Sequence, residues 1–197
     1  MKTNLKEFIS KSISITDADL EKVLEYFTFN KVKKGTLLLK EGEVEKNFYY
    51  INSGCVRTYY VNQGGHLKTR HIAFENSLIA SLSSFISGKP SYEYVEAIEN
   101  SELLSIERDH FFQLLHEVVS WKDFYILVLE KGYRFQNEKI ESYVTLTAQE
   151  RYNKLMIDNP HFIKRLPNII VASYLDISPE TLSRIKHHWF LDIDQLN

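Results

Sequence analysis

A chain of 197 residues with 44% apolar and 25% charged positions has the balance of a folded protein with a real core, and its length suits one or two compact units. Only 7 Gly and 4 Pro exclude low complexity, while a single cysteine, Cys55, excludes an internal disulfide or a thiolate metal cluster and suits a reducing compartment. A net charge of −2 provides no protein-wide basic field, so any nucleic-acid binding has to be local.

Residues 1–8 carry charges where a signal peptide has its apolar stretch, and the longest apolar run, residues 124–129, is too short to span a bilayer. A cytoplasmic protein without membrane association is expected. Residues 16–27 read as a helix: Leu20, Val23, Leu24 and Phe27 fall three and four apart, with Thr16 and Asp19 able to cap the start. From Thr28 to about Glu107 the texture changes to short β-rich runs at 36–39, 48–51, 56–61, 66–74, 92–98 and 103–106. Gly35, Gly42, Gly54 and Gly64-Gly65 punctuate them at positions where strands reverse, and strands this short and close suggest a β-sandwich or barrel.

Residues 109–118 return to helical spacing, and a longer helix follows from 120 to about 143, on which Trp121, Phe124, Val128 and Phe135 repeat at three, four and seven. Its first half is apolar on more than one face, so it needs two covering surfaces, its own β-domain and a second subunit. Thr147-Ala-Gln-Glu150 has the spacing of a capping box and opens a helix to about Asn159. Pro160 and Pro167 bracket a short polar connection, after which residues 168–174 and 179–188 form two short helices around the turn Leu175-Asp-Ile-Ser178.

Two helices crossing steeply need a small residue at their contact and apolar residues at fixed offsets. Ala172 is the small contact, and Val171, Leu175, Ile177, Leu182 and Ile185 fill the apolar positions. The turn position that favours glycine is Asp176, which can enter the left-handed region at some cost. Ser178 is a good N-cap and Pro179 a good first helical residue. Glu180, Thr181, Ser183, Arg184 and His187 then lie on the outward face; Glu can accept from a cytosine amino group, and Arg can bond a guanine edge at two points. The plainer alternative is a surface helix with an i,i+4 pair between Glu180 and Arg184. Residues 146–188 hold six Lys or Arg against four acids, a local balance of +2, so two half-sites read by a dimer would offset few phosphate contacts. His187 and His188 either touch phosphates or stabilise the helix C-terminus when protonated.

The order of parts resembles the Crp/Fnr family of bacterial transcription regulators. Gly35-Thr-Leu-Leu-Leu-Lys-Glu-Gly42 and Phe48-Tyr-Tyr-Ile-Asn-Ser-Gly54 look like the opening of that family's cyclic-nucleotide-binding jelly roll, and Ile177-Ser-Pro-Glu-Thr-Leu-Ser-Arg-Ile185 is similar to its recognition helix. The resemblance implies an α+β protein: an N-terminal β jelly-roll sensor with flanking helices at 1–119, a long dimerisation helix at 120–145, and a small helix-turn-helix domain at 146–197. It implies a homodimeric, non-enzymatic DNA-binding regulator without a resident cofactor or metal. Double-stranded DNA would meet Ser178, Glu180, Thr181, Ser183, Arg184 and His187, and RNA polymerase would be a further partner.

Family members that bind cyclic AMP carry a Gly-Glu for the ribose and an Arg for the cyclic phosphate. Here Ala80 and Ser81 stand for the Gly-Glu and Ser91 for the Arg, and burying a phosphate without its ion partner costs several kcal/mol. Cyclic AMP is therefore not expected. Ala80, Ser81, Leu82, Ser83, Ser91 and Tyr92, with Ser84, are the candidate lining for another small-molecule effector, although Ser-rich turns are common without a ligand. The position before Glu180 is Pro179, which offers no donor, and nine residues after His188 are too few for a long wing. Two other readings compete: a protein-interaction or ligand-binding module without specific DNA binding, and a metalloenzyme, for which His66, His71 and Glu75 have the wrong spacing to converge. Cys55 reads as a small buried hydrophobe rather than a redox or haem ligand.

Overall fold

The computed structural model describes residues 2–194, with side chains described as far as His187. The side chain of His188 lies outside them. Two units emerge: the first comprises the chain up to Tyr60 together with Arg70–Tyr133, and the second Val61–Thr69 together with the chain from Arg134 onward.

The first unit starts with α1 (Thr3–Ser12) and α2 (Asp17–Glu25), continues through β1 (Thr28–Val32), β2 (Leu37–Leu39), β3 (Asn47–Ser53), β4 (Val56–Val61), β5 (Leu67–Ala73), β6 (Leu78–Ile79), α3 (Leu82–Ser87), β7 (Tyr94–Ala97) and β8 (Ser101–Glu107), and closes with α4 (Arg108–Glu117) and the start of α5 (Trp121–Thr145). The strands form two four-stranded sheets, ordered β1-β8-β3-β6 and β2-β7-β4-β5, and the pairings between their registered strands are antiparallel. This is the jelly-roll arrangement that the resemblance implies, in an α+β chain.

Successive side chains of a strand point to opposite faces, and β3 and β8 bury both. Phe48, Tyr50, Leu104 and Ile106 join Leu5, Ile9, Leu20, Phe111 and Trp121 of the helices in one core. Tyr49, Ile51 and Leu103 join Leu39, Val56, Val95 and Ala97 in the other. Trp121 stacks on Phe124 with ring centroids 4.4 Å apart and donates its indole N–H to the Phe111 carbonyl at 3.1 Å, which fixes the start of α5 against α4. Between β3 and β4, Gly54 has φ +96°, and an added Cβ would come within 2.8 Å of the Asn100 carbonyl and closer still to Ser101 Oγ. Gly54→Ala is expected to cost about 2–3 kcal/mol, read as a lower urea midpoint, because the positive φ is strained for alanine and the backbone of Asn100 and Ser101 blocks the Cβ along with the Ser101 side chain.

The second unit contains the tip of the β4–β5 hairpin, the end of α5, α6 (Ala148–Asp158), α7 (Pro160–Arg165), α8 (Asn168–Leu175) and α9 (Pro179–Asp194). The expected capping box forms: Glu150 N–H donates to Thr147 Oγ1 at 3.3 Å and Thr147 N–H to Glu150 Oε2 at 2.8 Å.

Several elements differ from the sequence reading. The connection between Pro160 and Pro167 is mostly helical: Pro160 sits in the first turn, where its missing N–H costs nothing, and Phe162 is buried while Lys164 and Arg165 supply the polar look. α9 continues six residues beyond His188, to Asp194, instead of ending there. α1, β1, β6 and α3 have no counterpart among the elements expected from the sequence. No helix among the described residues is long and apolar enough to cross a membrane.

Candidate nucleic-acid interface and sensor cassette

α8 and α9 share a core of buried Val171, Ala172, Leu175, Leu182 and Ile185, the residues expected from spacing, and Ile170 adds to it; Ile177 is half-buried. The turn depends on Asp176, which takes φ 55° and ψ 46° in the left-handed region, while Ile177 N–H donates to the Ala172 carbonyl at 3.0 Å. An aspartate tolerates this conformation better than most residues, and its carboxylate pairs with Lys68 at the hairpin tip. Ser178 caps α9: its Oγ accepts from Thr181 N–H at 3.2 Å and lies 3.2 Å from the Thr181 hydroxyl.

With the helix pinned at its start, Ser178, Glu180, Ser183, Arg184 and His187 are exposed and Thr181 is half-buried. Among the described ion pairs none joins Glu180 to Arg184; the guanidinium donates instead to Thr181 Oγ1 at 3.2 Å. The Glu180 carboxyl is held below its ordinary range by its own backbone N–H, then by the Ser178 hydroxyl and the Arg184 charge. It is therefore ionised at neutral pH and acts only as an acceptor, which suits a cytosine amino group, while Arg184 one turn away carries the donors that suit guanine.

Support for α8 comes from residues the sequence did not single out. Lys139 Nζ donates to the Tyr174 carbonyl at 3.2 Å and lies 3.5 Å from the Tyr174 ring centroid, and the Tyr143 hydroxyl donates to the same carbonyl at 3.1 Å. A cation and a hydroxyl thus satisfy a carbonyl at the C-terminal end of α8, where helix carbonyls otherwise lack partners. At the hairpin tip Thr69 N–H donates to Ser173 Oγ at 2.8 Å, and the Ser173 hydroxyl donates to the Leu67 carbonyl at 2.8 Å. The i,i+4 spacing of Lys139 and Tyr143 was the only local signal available.

In the first unit the candidate effector residues separate. Ala80 is buried in the helix-facing core and Leu82 packs against it, whereas Ser83 and Tyr92 face solvent, Tyr92 at 80% exposure. Only Ser81 and Ser91 meet, their hydroxyls 2.8 Å apart. Ser81 Oγ also donates to Glu93 Oε2 at 2.8 Å, and Glu93 pairs with Arg70 at 3.0 Å. Ser84 is turned the other way, accepting from Glu45 N–H and donating to the Lys89 carbonyl.

Glu45 completes this buried group, accepting from Asn47 N–H and Ser81 N–H at 3.2 Å each. Burial pushes its carboxyl from the ordinary 4.5 up to about 7, against the pull of these backbone amides, and the Glu93 charge adds to the rise. Between those two values the folded state holds a proton that the unfolded state has lost. Stability from this group is therefore greatest below about pH 4.5 and falls by about 3 kcal/mol as pH rises through about 7. Glu45→Gln removes that slope, to be measured as urea unfolding free energy across this range.

Comparison with known proteins follows the same division. Residues 29–118 match the cyclic nucleotide-binding domain family. The cyclic AMP receptor protein of Thermus thermophilus is 25% identical over 100 residues, 51% of this chain and 46% of that relative, so the match spans about half of each. Among solved structures, FixK2 from Bradyrhizobium japonicum aligns over 84% of this chain and 85% of its own with TM-score 0.73 and 17% identity. A putative transcriptional regulator of the Crp/Fnr family from Eubacterium rectale aligns over 90% of this chain and 85% of its own, with TM-score 0.70 and 14% identity. Residues 29–118 thus resemble cyclic nucleotide-binding domains, and the chain shares over most of its length the fold of these solved regulators.

Proposed function

We propose that this chain is a cytoplasmic, non-enzymatic transcription regulator of the Crp/Fnr type that binds double-stranded DNA as a homodimer and responds to a small molecule other than cyclic AMP. The observation that carries the reading is α9: capped by Ser178, anchored by buried Leu182 and Ile185, and presenting Glu180 and Arg184 together to solvent. Ser178, Thr181, Ser183 and His187 flank this pair and supply phosphate or sugar contacts around it.

Dimerisation is assigned to the helix at 120–145. Ile126, Tyr133 and Ile140 follow one another at intervals of seven and are 52%, 68% and 59% exposed, with Val144 at 79% continuing the row. A seven-residue repeat keeps apolar side chains on one helix face, as a helix-helix seam requires. Cyclic AMP is disfavoured because a buried carboxylate, Glu93, accompanies the serines that replace the usual nucleotide ligands. The resemblance also makes RNA polymerase the expected protein partner at a promoter.

Gel-shift selection from a promoter-fragment library tests the reading. Enrichment of a sequence with two related half-sites is expected; retention of all fragments alike, or of none, would favour an interaction module instead.

A further inference from the structure

Ser81, Ser91 and Arg70 come from three separate segments: the residue before α3, the turn before β7, and β5. They gather on one carboxylate. Glu93 is 4% exposed; its Oε2 accepts from the Ser81 hydroxyl at 2.8 Å and its Oε1 from Arg70 at 3.0 Å. Ser91 Oγ lies 2.8 Å from Ser81 Oγ, accepts from Glu93 N–H at 2.8 Å and donates to the Glu93 carbonyl at 3.2 Å, so it holds both the backbone that carries the carboxylate and the hydroxyl that binds it. A guanidinium and a hydroxyl on the two oxygens of an oxyanion are what a protein offers a bound anion. A simple ion pair would need neither serine.

The surroundings oppose a second anion. Glu45 lies on the other side of Ser81, whose N–H it accepts, and the Tyr60 phenol faces Glu93 from β4. The Ser81 hydroxyl and the Arg70 Nη1 that could greet an incoming carboxylate or phosphate are already turned toward Glu93.

We propose that Glu93 is a built-in ligand: Arg70, Ser81 and Ser91 form an oxyanion seat for a small carboxylate, and this chain fills the seat with its own side chain. The inference rests on reading residues 29–118 as the sensor, but not on DNA binding, so it can fail while the regulator assignment stands. The first unit then keeps its folded arrangement without an anionic effector, and any effector is uncharged there or binds elsewhere.

The test is rescue in the full chain. Glu93→Ala is expected to melt lower than the unsubstituted protein, and formate at about ten times its dissociation constant to raise the variant's melting temperature by about 4 °C. Chloride at equal ionic strength should not do so, and formate should leave the unsubstituted protein unmoved. The double variant Arg70→Met with Glu93→Ala should lose the formate response. A destabilised Glu93→Ala indifferent to formate would reduce the cluster to an ordinary ion pair and overturn the proposal. If the single variant does not fold unaided, refolding yield replaces melting: recovery only with formate supports the seat, and equal failure with and without it overturns it. Inorganic phosphate or cyclic AMP that raises the melting temperature of the unsubstituted protein, but not of Ser81→Ala, would show the seat open to outside anions and would also overturn it.

Discussion

Arg184→Ala is expected to weaken binding to the selected operator by roughly 5- to 150-fold while leaving affinity for unrelated DNA nearly unchanged, because a bidentate arginine-guanine contact contributes about 1–3 kcal/mol of discrimination. Arg184 is exposed and its one described hydrogen bond is to Thr181 Oγ1, so alanine removes a base contact without disturbing the core of Leu182 and Ile185. Glu180→Ala is expected to act on specificity more than on affinity. The lost acceptor relaxes the preference for cytosine, and removing a negative charge near phosphates partly offsets the loss. Selection with each variant distinguishes the two: Arg184→Ala should flatten one base position and Glu180→Ala a neighbouring one. Unchanged selected sequences with both would remove these residues from the interface.

Ile126→Asp combined with Ile140→Asp is expected to convert the proposed homodimer to a monomer in sedimentation equilibrium and to lower operator affinity by about 100-fold or more, since two half-sites lose their linked binding. Both side chains are more than half exposed on one chain, so charge there leaves the monomer's core intact and the helical circular dichroism unchanged. An aspartate pair facing its own copy brings like charges into a seam that otherwise buries apolar surface. A double variant that stays dimeric would place the interface elsewhere.

How far the sequence could be read depended on how local each cause was. The capping box at Thr147, the left-handed Asp176 and the Ser178 cap are set by residues within four positions of one another, and each formed as expected. β4 was legible along its whole length because flanking glycines bound it, whereas β6 is two residues long and leaves no period to detect. α1 leaves a weak period because only Leu5 and Ile9 on it are fully buried, and α7 because one buried residue, Phe162, carries it. The site divides in the same way. The exposed face of α9 follows from helical spacing, while the partners of Ser81 and Ser173 are long-range: Glu45 stands 36 residues from Ser81, and Thr69 stands 104 from Ser173. Ser83 and Tyr92 seemed neighbours of Ser81 by composition, but α3 and the turn before β7 direct them to solvent.

The central claim, two copies of α9 reading one duplex, is most directly tested by methylation-protection footprinting of the dimer on its selected operator. The account predicts two protected patches of major-groove guanines about 10 base pairs apart on one face of the helix, each lost with Arg184→Ala. A single patch, protection confined to the minor groove, or a footprint indifferent to Arg184 would contradict it.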